Sequence, residues 1–118
     1  MRFPIRSSSV CVLAAILFTP IVASAASEKA YVKIISPVQG AKLDAMEQTK
    51  LVYEAGRGPH GDHVHVYVDG KEVGILRQLA GSYTLETLAS GTRNICIKVV
   101  NKAHVPIGVE QCVKVTVE

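Results

Sequence analysis

The chain has 118 residues, 48% of them hydrophobic and only 5% aromatic, with a formal charge of +3. That length suits a single domain, and no basic patch or acidic run points to nucleic acid or an anionic lipid surface. Most of the positive excess belongs to the N-terminal segment, since losing Arg2 and Arg6 would leave +1.

That segment reads as a secretory leader. Arg2 and Arg6 form a positive n-region, Val10 to Phe18 is almost continuously apolar, and Ala23-Ser24-Ala25 is an A-x-A cleavage site. The apolar run is too short to span a bilayer. Cleavage is expected after Ala25, leaving 26–118 as the mature domain in the periplasm or outside the cell, with no membrane span. Cys11 would be discarded with the leader, as would Phe3 and Phe18. The mature core must then be built from Val, Ile, Leu and Tyr.

In the mature region, Tyr31 to Ile35 reads as a first strand, ended by Ser36-Pro37 and confined to a sheet edge by Pro37. Lys42 to Gln48 is polar and expected to be irregular, with a short helical turn as the alternative. Thr49 to Ala55 is a second strand with Leu51, Tyr53 and Ala55 on one face. Gly56 to Gly61, with Pro59 and His60, is a loop. His63 to Asp69 alternates polar and apolar residues and runs into Asp69-Gly70, the signature of a half-buried strand entering a tight hairpin. Val64, Val66 and Val68 take one face; His63, His65 and Tyr67 take the other. Glu72 to Leu76 is the return strand, Ser82 to Leu88 a fifth with Tyr83 and Leu85 inward, and Asn94 to Val100 and Val109 to Val117 a last hairpin.

Seven short strands at this spacing, with turn signals between them, predict an all-β immunoglobulin- or fibronectin-like antiparallel sandwich. A small barrel or jelly-roll-like pair of sheets is the alternative. In the sandwich, the third, sixth and seventh strands share a sheet with the sixth in the middle.

The last hairpin carries both mature cysteines. A hairpin centred on His104 pairs residues equidistant from it, and Cys96 and Cys112 each lie eight residues away. A cross-strand disulfide is expected, closing a loop of roughly 15 residues and worth about 3 kcal/mol in the chain-entropy picture. The rivals, a reactive dithiol or a pair of thiolate ligands, find no C-x-x-C spacing.

The same topology sends the loop bearing His60, the start of the strand bearing His63 and His65, and the loop tip bearing His104 to one end of one sheet. All four histidines are thus expected at a common rim. Residues two apart on a strand project in parallel, roughly 6.5–7 Å apart at their bases, so His63 and His65 can lean together on one cation. His104 or His60 would supply the third ligand, and Asp62 a ligand or a supporting carboxylate. Imidazole donors suit copper(II) and zinc. The plain alternative is that a His-x-His on a solvated face is two ordinary surface side chains.

No nucleophile elbow, phosphate-binding glycine loop or close carboxylate pair argues for an enzyme. The expected function is metal binding as a carrier, chaperone or sequestering factor, with a periplasmic protein as one further partner. The rival is a metal-free Ig-like module binding a protein or glycan. A third reading is a small metal-dependent enzyme that handles superoxide.

Four segments, Ser36-Pro37-Val38-Gln39-Gly40-Ala41, Gly61-Asp62-His63-Val64-His65, Leu88-Ala89-Ser90-Gly91 and Asn101-Lys102-Ala103-His104-Val105-Pro106, resemble those of small exported Ig-like bacterial proteins grouped as domain of unknown function forty-three ninety-nine. Those proteins carry a run of histidines where this chain has Asp62-His63-Val64-His65. The resemblance implies an Ig-like fold and use of the histidines; it implies no particular activity.

Overall fold

The computed structural model describes Arg2, Pro4, residues 13–18 and residues 29–118. The expected cleavage site at Ala23-Ser24-Ala25 and Cys11 lie outside the described residues. From residue 29 onward the chain is built of strands: β1 (Tyr31–Ser36), β2 (Lys42–Leu43), β3 (Thr49–Gly56), β4 (His63–Val68), β5 (Lys71–Leu76), β6 (Ala80–Leu85), β7 (Gly91–Val100) and β8 (Pro106–Val117). They form a three-stranded sheet in the order β1-β3-β6 and a five-stranded sheet in the order β2-β8-β7-β4-β5. This is the expected sandwich, with β7 between β4 and β8.

The core follows from the alternation. Leu51, Tyr53, Ala55, Leu85 and Ile34 from the small sheet meet Val64, Val66, Ile95, Ile97, Val99, Val113, Val115 and Val117 from the large one. Branched aliphatics pack well on pleated surfaces, and here they fill the interior without Phe or Trp. The Asp69-Gly70 turn has positive φ at both residues, 51° and 81°, as a two-residue type I′ hairpin demands. Asp69 also fastens β4 to β7: its carboxylate accepts from the Asn94 N–H at 2.9 Å and from Arg93 at 3.0 Å.

Several element bounds differ from the sequence expectation, β7 and β8 each starting three residues early at Gly91 and Pro106, and two of the differences have a cause in the pairing. The polar segment after residue 41 is not wholly irregular, because Lys42 and Leu43 pair in parallel with Thr116 and Val117. The outer edge of β8 has unmet backbone groups, and this segment satisfies them: Thr116 N–H donates to Ala41 O, Glu118 N–H to Leu43 O, and Ala45 N–H to Glu118 O. The strand expected to reach Leu88 stops at Leu85, because its partner β3 begins at Thr49, opposite Leu85.

The register of the last hairpin is as expected. Ile95 pairs with Val113, Cys96 with Cys112 and Ile97 with Gln111. Cys96 and Cys112 form a disulfide with Cα atoms 4.0 Å apart. The register shifts once, between Lys98 and Val100, and the extra backbone opens into the loop that carries His104.

A three-histidine centre at the rim of the large sheet

His63 and His65 stand on β4, on the face turned away from the core. In the large sheet their partners across β7 are Val100 and Lys98, and Tyr67 faces Cys96. The expectation that this face is solvated is wrong at its upper end: His63 and His65 are each only 1% exposed. The β7–β8 loop folds over them, and Val100 beside them is also fully buried without belonging to the core cluster. The outer face of the large sheet thus has a small buried layer of its own.

Loop 101–105 is held by Asn101. Its side-chain oxygen accepts from Ala103 N–H and Val105 N–H, and its carbonyl accepts from His104 N–H at 2.9 Å. An Asx-type turn of this kind fixes the chain without help from neighbours. It leaves His104 at φ 63°, a left-handed conformation unusual for a residue with a side chain.

This conformation brings the third imidazole to the other two. His63 Nε2 lies 2.9 Å from His65 Nε2 and 3.1 Å from His104 Nδ1, and His65 Nε2 lies 3.0 Å from His104 Nδ1. The three nitrogens form a nearly equilateral triangle. The residues that sequence reasoning singled out as ligands, 41 positions apart at the extremes, are therefore joined.

The outward nitrogens decide what the inward ones can be. His63 Nδ1 lies 2.8 Å from Asp62 Oδ2. A carboxylate only accepts, so His63 Nδ1 donates to it, and in the neutral ring that tautomer leaves the Nε2 lone pair pointing to the centre. The hydrogen bond from His63 holds the Asp62 carboxyl below its ordinary range, assisted by Lys102 and Arg77. His65 Nδ1 has a carboxylate oxygen of Glu72 at 3.5 Å but no hydrogen-bond partner. Desolvation pushes the His65 imidazole toward its neutral form, and the neighbouring His63 and His104 push the same way against the pull of Glu72. His104 is on the exposed loop, so its Nε2 can hold the proton toward water.

Three lone pairs at this separation cannot satisfy one another. One proton among them could bridge two nitrogens at best, leaving the third unmatched. A cation satisfies all three at once. With metal–nitrogen bonds of about 2.0–2.1 Å, a right angle at the metal sets donors about 2.9 Å apart and a tetrahedral angle about 3.4 Å. The observed 2.9–3.1 Å falls within that range. His63, His65 and His104 thus form a group able to hold a metal ion.

His60 does not join them. It is exposed, in the turn that Gly61 closes by donating its N–H to Arg57 O at 2.9 Å. Gly61 has no room for a side chain, because a Cβ there would meet both Arg57 O and the Val99 side chain. That tight turn ends before His63 and His65 begin β4, so the rim gathers three imidazoles and not four. Asp62 is the hydrogen-bond partner of His63 Nδ1 and is not one of the three grouped residues. Glu72 and Asn101 were missed from the sequence. The two-residue turn at Asp69-Gly70 sets Glu72 opposite Tyr67, and an Asn three residues before His104 is an Asx-turn signal.

A second metal-capable group, Cys96, Cys112 and Glu110, lies lower on the same face. Its sulfurs are joined in the disulfide. Lys98 lies over the Tyr67 ring at 4.6 Å and pairs with Glu110 at 3.7 Å, so this part of the face is a half-buried network around the disulfide with an exposed edge.

No family model matches the chain, and no curated protein does. Among solved structures it is similar to a fibronectin(III)-like module of CbhA from Clostridium thermocellum, at 20% identity and a TM-score of 0.62, over 74% of this chain and 96% of that one. An engineered protein superposes at 21% identity and a TM-score of 0.53, over 79% of this chain and 21% of its own. At such identities the likeness speaks of architecture alone: the chain has a fibronectin(III)-like β-sandwich, and on one rim of its large sheet stands a group of three histidines.

Proposed function

We propose that the protein is an exported metal-binding protein, periplasmic or secreted, which carries, delivers or sequesters copper(II) or zinc through His63, His65 and His104. We also propose that it belongs with the exported Ig-like domains its motifs resemble. The observation that supports the metal reading best is the convergence of three imidazole nitrogens within 3.1 Å, two of them on fully buried residues. Three inward lone pairs facing only one another leave at least one buried acceptor unmatched, a cost of about 1–3 kcal/mol, and a bound cation would remove it at all three inward nitrogens. A disulfide suits an oxidising compartment and so favours export. The centre is read as a binding site and not as an enzyme.

Titration with copper(II) and with zinc at neutral pH, against a chelator of known affinity, tests the reading. The His63→Ala/His65→Ala/His104→Ala variant should lose the tight site. Equal binding by the variant would sink the proposal. The fibronectin(III)-like fold would also serve a metal-free module that binds a protein or glycan, but that reading gives no reason for burying two imidazoles against a third.

A further inference from the structure

We propose that the metal centre keeps a coordination position open to solution and that this position takes a small anion; the inference rests on the metal reading above. Three donors within 3.1 Å of one another can occupy only one side of a cation. Copper(II) and zinc take at least four ligands in such sites, so the opposite side needs another donor.

The protein does not supply it. Among the described residues, the metal-capable group holds three members and no fourth. The two nearby carboxylates stand at the wrong nitrogens. Asp62 is bonded to His63 Nδ1, and Glu72 lies nearest His65 Nδ1, whereas the donors at the centre are the Nε2 atoms of both rings. The way in is from the loop side. His63 and His65 are walled in, while His104 and its neighbours Lys102, Ala103 and Val105 are exposed.

Charge selects the class of ligand. The groups acting on the site besides the imidazoles are two carboxylates, Asp62 and Glu72, and two exposed cations, Arg77 and Lys102. These balance before any metal binds. Three neutral imidazoles leave the full charge of a divalent ion uncompensated, at a position partly shielded from water. A small anion, either free in solution or presented as a carboxylate by a partner, offsets that charge and completes the coordination. Arg77 and Lys102 would draw it in.

The test uses the purified protein loaded with one equivalent of copper(II), titrated with sodium azide and, separately, with acetate as a free carboxylate. The expected result with azide is a new azide-to-copper charge-transfer band that saturates at one azide per copper and is absent from the His63→Ala/His65→Ala variant. Arg77→Ala combined with Lys102→Ala should weaken azide binding, by about threefold per charge removed at low salt. Competition of acetate with azide supports a carboxylate as occupant, and saturation by acetate at millimolar concentration supports its binding free from solution. A copper-loaded protein that binds azide but ignores acetate supports the open position and overturns the carboxylate as its ligand. Bound copper whose spectrum ignores millimolar azide overturns the inference and leaves the metal reading standing. Failure to bind copper overturns both.

Discussion

Replacing His104 by glycine separates a residue kept for folding from one kept for chemistry. His104 sits at φ 63° in a turn already held by Asn101. A left-handed conformation costs a residue with a side chain about 1–2 kcal/mol, and glycine adopts it freely. Against this, glycine loses about 0.5–1 kcal/mol more backbone entropy on folding. His104→Gly should therefore leave the metal-free protein between unchanged and about 1.5 kcal/mol more stable. Metal binding should respond in the opposite sense. Structural zinc sites bind with about 10–16 kcal/mol over four ligands, so one ligand is worth about 2.5–4 kcal/mol, or two to three decades in affinity.

Thermal unfolding with and without metal reads both quantities. With metal at about 100 times the dissociation constant, the parent gains about 2.7 kcal/mol, which for a domain of this size is about 10–20 °C in Tm. At the same concentration His104→Gly should gain no more than about 3 °C by the same relation. A metal-free His104→Gly protein that melts well below the parent would refute the argument, because His104 would then be holding the loop. A variant as strongly stabilised by metal as the parent would refute it from the other side.

Further outcomes follow from the same geometry. Asp62→Ala should weaken metal binding about 10- to 100-fold, the usual consequence of removing the carboxylate behind a ligating histidine; Asp62→Asn, which can still accept from Nδ1–H, should do less, as chelator competition would show. Cys96→Ser/Cys112→Ser should lower stability by about 3 kcal/mol in denaturant melts while leaving metal affinity within about twofold, since the disulfide touches none of the three imidazoles. Asp69 has its carboxyl held below the usual range, first by the Asn94 N–H and then by Arg93. It therefore stabilises the fold above the unfolded carboxylate range, and that contribution is lost as pH falls through the folded value. Asp69→Asn should flatten the acid limb of a stability-against-pH curve, and an unchanged limb would remove Asp69 from this role.

Much of the fold could be read from period-two alternation and turn chemistry. Asp69-Gly70 announced a tight hairpin, and the placement of Cys96 and Cys112 about His104 gave the register residue by residue. What stayed hidden were features set by long-range partners. The strand at Lys42–Leu43 exists because the edge of β8 requires it, and nothing in Lys-Leu says so. The end of β6 at Leu85 is dictated by where β3 starts. Alternation names two faces, but it cannot say what lies over the outer one. His63 and His65 were rightly assigned to the face away from the core and wrongly expected to meet water there.

That burial changes the meaning of the motif. On an open sheet, histidines two apart on a strand are mobile side chains with water for partners, and nothing holds a third imidazole near them. Here the loop is braced by Asn101 through backbone hydrogen bonds that do not involve the His104 ring, and the third nitrogen stands beside the other two. Gly61 lets the preceding turn lie against Val99, which sets Asp62 beside His63. On the proposed metal reading, the fold assembles the donors before any cation arrives, and the conformational entropy of gathering them is met during folding and not on binding. Gly61→Ala tests this preorganisation. The added methyl collides with backbone at Arg57, so the turn must shift and carry Asp62 away from His63. Metal affinity should fall by at least the 10-fold or so lost when such a carboxylate is removed, although no ligand has been changed. Affinity equal to the parent's would mean that the donors gather around the metal and are not set in place by the chain.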